Sequence, residues 1–192
     1  IVTNAGGPGV MAADAAIEGG LELARLSEST SARLKAALPA AANMKNPIDV
    51  IGDAREDRYR AALEAVIEDP GADLVLVILT PQSMTDIDSI ARTVCRVHEE
   101  ATAAGKTFAC SFMGARDVAS GIQIVQHHQV PHYILPEWAC GAMRDAVRYR
   151  EWLSSAPGAA ADPPGDSADT DAARSSAAAI IGSSPSGYLS EP

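Results

Sequence analysis

Asp73-Leu74-Val75-Leu76-Val77-Ile78-Leu79-Thr80-Pro81-Gln82-Ser83-Met84-Thr85-Asp86 runs from a stretch apolar on both faces into a turn and then a helix start. Leu74 to Leu79 is the longest apolar run in the chain. It has the length of a buried strand and falls far short of the roughly 20 residues that a membrane helix needs. A strand with no polar face belongs at the centre of a parallel sheet covered on both sides.

Working outward, the chain alternates between strand-like and helical segments. Asp86 to Ala104 reads as a helix with Ile87, Ile90, Val94 and Val97 inward, closed by Gly105. Thr107 to Phe112 is the next strand, followed by a helix over Asp117 to His128. A short strand is expected over His132 to Leu135. Pro136 then opens a last helix to about Tyr149, where its missing N–H costs nothing. In the other direction, Asp57 to Glu68 is a helix with Tyr59, Leu63, Val66 and Ile67 on its apolar face, ended by Pro70-Gly71. Asn43 to Asp53 is loop-rich around Pro47, and Ser31 to Leu38 is a helix stopped by Pro39. Leu21 to Leu23 suggests a short strand. Val10 to Glu18 is a helix with Val10, Ala13, Ile17 and Leu21 on one face, and Ile1 to Thr3 is a strand. This alternation implies an α/β fold, a flavodoxin-like three-layer sandwich with a mostly parallel sheet.

Bulk composition agrees. Hydrophobic residues make up 47% of the 192 and charged residues 21%, the profile of a soluble globular chain. A net charge of -10 repels phosphate backbones, so nucleic-acid binding is not expected, and neither is a membrane partner. Any anionic ligand must then be captured by backbone amides and not by a basic field. Cys95, Cys110 and Cys140 show no CxxC spacing and read as buried, reduced thiols. From Ser154 onward the chain is rich in Ala, Ser, Pro, Gly and Asp, and residues 154–186 read as a flexible, disordered linker. Gly187-Tyr188-Leu189-Ser190-Glu191-Pro192 regains structure-forming character, as if a further domain began there. Without an initiator Met, and opening mid-strand, the chain is expected to be excised from a longer protein, its first strand truncated.

In parallel α/β sheets ligands bind at the carboxyl ends of strands, near a topological switch point. Three loops there carry the candidate chemistry. Asn4-Ala5-Gly6-Gly7-Pro8-Gly9 leaves a strand and enters a helix. Its glycines allow close backbone approach, and the helix start offers unpaired N–H groups to an anion. It is neither a Walker A loop nor GxGxxG, and a plain tight βα turn would have the same spacing. Thr80-Pro81-Gln82-Ser83-Met84 is either an ordinary helix cap or a cradle for a carboxylate or thioester, with amides of Ser83 to Thr85 and the Gln82 side chain as donors. Asn46-Pro47-Ile48-Asp49 is either common turn chemistry or a support in which Asn46 and Asp49 orient the first loop. His98, with Glu99 and Glu100 beside it, reads as a solvated residue. His127 and His128 suit a helix end, and His132 a short strand. No Ser/His/Asp or metal-ligand spacing joins them, so no metal site or catalytic residue is assigned.

Four motifs in order carry a resemblance: Ile1 to Asp14, Asn46-Pro47-Ile48-Asp49-Val50-Ile51-Gly52-Asp53-Ala54, Leu76 to Asp86, and Ser111-Phe112-Met113-Gly114. Over residues 1 to about 150 the chain resembles the ligase-CoA domain of NDP-forming acyl-CoA synthetases. These are the acetate–CoA ligases (ADP-forming), relatives of succinyl-CoA synthetase. The resemblance implies the interconversion of acyl-CoA, phosphate and NDP with carboxylate, CoA and NTP, through an acyl phosphate and a phosphohistidine. It implies that Asn4–Gly9 meets the phosphohistidine as one of two helix N-termini aimed at it. It also implies that Thr80–Met84 lies beside the acyl group, with Asn46, Pro47, Asp49 and Gly114 in support. The phosphohistidine, CoA-binding and ATP-grasp domains would be partners, the last following the linker. CoA, ATP/ADP and Mg would belong to the full, cytoplasmic enzyme and not to this domain alone, which by itself would be inactive. A second reading is a ligand-sensing module fused to a protein acyltransferase; a third is a free-standing nucleotide-binding domain.

Overall fold

The computed structural model describes residues 1–155 and 175–179. The chain divides into two compact units, Ile1–Glu151 and Trp152–Pro192. The first holds the sheet. Its elements are β1 (Val2–Thr3), α1 (Gly6–Glu18), α2 (Glu28–Ala37), β2 (Ile48–Asp49), α3 (Glu56–Ile67), β3 (Leu74–Leu79), α4 (Ile87–Ala103), β4 (Thr107–Phe112), α5 (Ala119–His127) and α6 (Pro136–Ser154), which runs on into the second unit. In that second unit residues 175–179 are helical. The remainder of the linker reading for 154–186, and the domain start at 187–192, lie outside the described residues.

All four strands are parallel, in the order β2-β1-β3-β4. β3 is central and all but buried, as its two apolar faces require. Val75, Val77 and Leu79 face a large core shared with α2, α3, α4 and α5. Leu76 and Ile78 face a smaller one shared with α1 and α6. Helices on both faces of a parallel sheet make the expected three layers. The order reverses between β1 and β3, so the switch point lies between the loops that leave those two strands.

Four local readings need correction. The first helix starts at Gly6, not Val10. Its buried face is Gly9, Ala12, Ala13 and Ala16, whereas Val10 and Ile17 are each 58% exposed. Small residues let α1 lie close on the sheet: a Cβ on Gly9 would sit 3.0 Å from Thr3 Cγ2 and 3.4 Å from Pro47 Cβ. Leu21 to Leu23 forms no strand, and β2 forms instead within the passage read as loop-rich. The next helix starts at Glu28, because Ser27 accepts a hydrogen bond from the Thr30 N–H at 3.2 Å and caps it. The strand at His132 is reduced to one bridge with Cys110.

Candidate functional site

Two loops meet at the switch point. Thr3 ends β1, and its Oγ1 accepts from the Ala5 N–H at 3.1 Å and donates to the Ala5 carbonyl at 2.9 Å, turning the chain sharply into α1. Asn4, 2% exposed, reaches across to the loop after β3. Its Nδ2 donates to the Thr80 carbonyl at 2.8 Å. Its Oδ1 accepts from the Thr80 N–H at 2.9 Å and the Thr80 hydroxyl at 3.1 Å. Asn4 is thereby spent on the protein. It braces the crevice, and of the six residues read as an anion site it is the one whose side chain is already committed.

The ligand-facing groups are those of the next turn. Ala5 is the cap residue of α1 and has no side-chain hydrogen bond to offer. Pro8 has no N–H, and the Gly9 N–H is held by the Ala5 carbonyl at 3.2 Å. Gly6 and Gly7 are left with N–H groups that no described residue accepts, at the positive end of the α1 dipole. A Cβ on Gly7 would meet nothing within 4 Å, so this mouth is open. A Cβ on Gly6 would lie 3.5 Å from Asp49 Oδ2. Asp49 therefore stands beside the mouth, while its Oδ1 accepts from the Ile51 N–H at 2.9 Å.

The Thr80–Met84 loop forms the facing wall. Gln82 Nε2 turns back to the Thr80 hydroxyl at 3.2 Å. The Thr85 N–H is taken by the Gln82 carbonyl at 3.0 Å, so of the donors expected here the amides of Ser83 and Met84 and the second hydrogen of the Gln82 amide have no acceptor among the described residues. Asp86 caps α4 by accepting from the Ser89 N–H at 3.1 Å, and that bond holds its carboxyl below the usual range. Gly114 (φ +114°) packs on Pro81 from the β4 side.

Asn46 is not at this site. Its Oδ1 accepts from the Ile1 amino group at 3.0 Å and its Nδ2 donates to the Ala24 carbonyl at 3.2 Å, at the amino edge of the sheet. There it lines a cavity of about 690 Å³ with Leu21, Leu74 and Met143. Pro47 stands between the two ends, its Cβ 3.4 Å from where a Cβ on Gly9 would lie. Sequence reasoning missed Ile51 (φ +71°), a left-handed β-branched residue after β2 that strains the same edge.

Among the described residues no histidine is hydrogen-bonded to either loop, although His132 lies at the carboxyl end of β4. His98 is half-buried rather than solvated; its ring packs on Phe108 with centroids 5.5 Å apart, and desolvation lowers its pKa. His132 Nε2 accepts from the Phe112 N–H at 3.3 Å. His127 and His128 end α5, which follows β4 and so starts on the carboxyl side. All three cysteines are buried and free. Among the described residues no group of three or more His, Cys, Asp or Glu could hold a metal ion, and no helix is long and apolar enough to cross a membrane.

Known proteins share this arrangement. The family model described as the Ligase-CoA domain matches residues 1–156. The acetate–CoA ligase [ADP-forming] I of Archaeoglobus fulgidus is 38% identical over 149 residues, which are 78% of this chain and 20% of that protein. The crystal structure of PH0766 from Pyrococcus horikoshii OT3 superposes with a TM-score of 0.75 at 30% identity, over 80% of this chain and 35% of that one. The dinucleotide forming acetyl-coenzyme A synthetase 1 of Ca. Korarchaeum cryptofilum, in complex with phosphate and ADP, gives 0.71 at 27% identity over 78% and 32%. The chain thus spans between a fifth and about a third of the length of these relatives. Likeness that extends over nearly all of the sheet-bearing unit, and is not confined to one motif, decides the family: the chain belongs to the Ligase-CoA domain family.

Proposed function

We propose that this chain is one domain of an NDP-forming acyl-CoA synthetase, in which the amides of Gly6 and Gly7 receive a phosphoryl group carried by a histidine of another domain. The enzyme interconverts acyl-CoA, phosphate and NDP with carboxylate, CoA and NTP. In the central step the P–O bond of an acyl phosphate breaks as an N–P bond forms on the imidazole; the phosphoryl group then passes to the nucleotide. What carries the reading is the open mouth of α1: two unpaired N–H groups at the carboxyl edge of the switch point, in a chain of net charge -10. Preorganised donors of this kind stabilise charge that develops in a transition state. Among the described residues none of the four histidines bonds to the Asn4–Gly9 turn, which supports a carrier from another domain.

Thr80–Met84 faces the same space and is placed beside the acyl group. The described residues offer no ligand set for Mg, which would enter with the nucleotide in another domain, as would CoA. We place the enzyme in the cytoplasm. No observation favours the ligand-sensing module.

The test is Gly7→Val. In a helix the side chain tilts toward the N-terminus, so valine projects over the mouth, where it meets no protein atom. Phosphate titrated calorimetrically into this chain is expected to bind weakly, and not at all in the variant. In the complete enzyme kcat is expected to fall by about 10²–10³, the typical cost of one lost oxyanion donor. Unchanged phosphate binding and unchanged turnover would overturn the reading.

A further inference from the structure

The two helical layers of the first unit are not equally finished. Among the described residues α2, α3, α4 and α5 expose no large hydrophobic side chain. The opposite layer exposes Val10, Met11 and Ile17 on α1, Trp138 on α6 and Ile134 just before it. Single apolar residues scattered over a surface are ordinary, but a set confined to one face marks an interaction surface. Val10 and Ile17 are seven residues apart, so they share one stripe of α1. α1 and α6 lie side by side on the same sheet face, with Cys140 Sγ 3.4 Å from the Ala12 carbonyl. Val10 and Trp138 each precede that contact by two residues, and so stand at one height. The stripe also begins one helical turn from the open amides of Gly6 and Gly7.

We infer that the outer face of α1 and α6 is the seat of the neighbouring domain that carries the phosphoryl group. This rests on the function proposed above and adds the surface through which the partner is held. A phosphoryl group bonded to a protein histidine cannot diffuse to the mouth. The body bearing it must lie flush against the first turn of α1, and the apolar stripe continues from that turn. The matched relatives supply such a body, since 65% to 80% of their length lies outside the match. α1 has no Lys or Arg; Asp14, one turn from both Val10 and Ile17, lies within the stripe and Glu18 beside it, so the partner surface is apolar, with a basic group to meet Asp14 and a basic rim beside Glu18. Such a rim contributes mainly to docking rate and register.

Site-specific photocrosslinking in the complete enzyme tests this. p-Benzoylphenylalanine is placed at Val10, Ile17 or Trp138, and at the exposed Arg96 of α4 and Gln126 of α5 as controls. From the α1 and α6 positions, illumination is expected to join this domain to another domain of the same enzyme at several-fold the yield of either control, with peptide mapping placing the junction outside residues 1–192. Yields no higher than the controls would overturn the inference. Products joining two copies of this domain would overturn it equally, in favour of self-association. Since crosslinking does not require turnover, this result stands apart from that of Gly7→Val.

Discussion

Asn4 and Thr80, 76 residues apart in sequence, are joined by three hydrogen bonds of 2.8 to 3.1 Å that use both ends of the asparagine amide. The pair fixes the distance between the loops that leave β1 and β3, the two walls of the switch-point crevice. Asn4→Ala leaves the Thr80 N–H and carbonyl unpaired in a part-buried place. The expected cost is about 1–3 kcal/mol, read as a lowered urea midpoint. Asn4→Asp keeps the acceptor but turns a second oxygen on the Thr80 carbonyl, and is expected to rescue no more than part of that loss.

Gly7 and Gly9 should separate stability from binding. A Cβ at Gly9 would press on Thr3 and Pro47, so Gly9→Ala is expected to cost about 1–3 kcal/mol by overpacking. Gly7→Ala adds its methyl to empty space within a helix, and is expected to be neutral or to stabilise by up to about 1 kcal/mol. Thermal melts of the two variants check the contrast.

Gly114→Ala should disturb the Thr80–Met84 wall, which the proposed function sets beside the acyl group. At φ +114° an L side chain is strained, and its Cβ would lie 2.8 Å from Pro81 Cγ. Expected are a loss of about 1–3 kcal/mol and, in the complete enzyme, a raised KM for the carboxylate substrate. An unchanged KM would detach this loop from the acyl group.

Asp69 gives the chain a pH dependence. The residue is 1% exposed, and burial works against its charge. Hydrogen bonds from the Thr30 hydroxyl and the Ser27 and Gly71 N–H groups outweigh burial and hold its pKa at about 2, against an ordinary 3.8. A depressed carboxyl stabilises the fold above its unfolded pKa, and that contribution disappears as pH falls through the folded value. Asp69→Asn is therefore expected to cost about 2 kcal/mol at neutral pH. The gap from the parent chain should narrow as pH falls from 3.8 toward about 2, followed by urea unfolding at a series of pH values.

Much of this fold is legible in the amino-acid sequence. β3, β4, α3 and α4 lie within a residue or two of where periodicity placed them, because each buries a long apolar face and has a clear stop. α1 was misread because the residues that decide its orientation are the smallest: glycine and alanine win the sheet side by fitting, while valine and isoleucine remain outside. Gly6 and Gly7 were legible as candidates for their chemistry. The commitment of Asn4 to Thr80 was not, since a contact across 76 residues leaves no local pattern. Asn46 was misplaced for a related reason. Proximity to Asp49 in sequence suggested proximity in space, yet β2 carries the two to opposite ends of the sheet.

Pro8 sets a limit on α1 that outlasts any single substitution. A phosphoryl group presents three terminal oxygens, while a first turn with a proline in third place and its next amide already engaged has two hydrogens to give. The cradle is therefore a half. On the function proposed above, its missing donors arrive with the domain that docks opposite, and the group is fully held only while both bodies are in place. In the enzyme proposed above, neither body alone would hold the phosphoryl group completely.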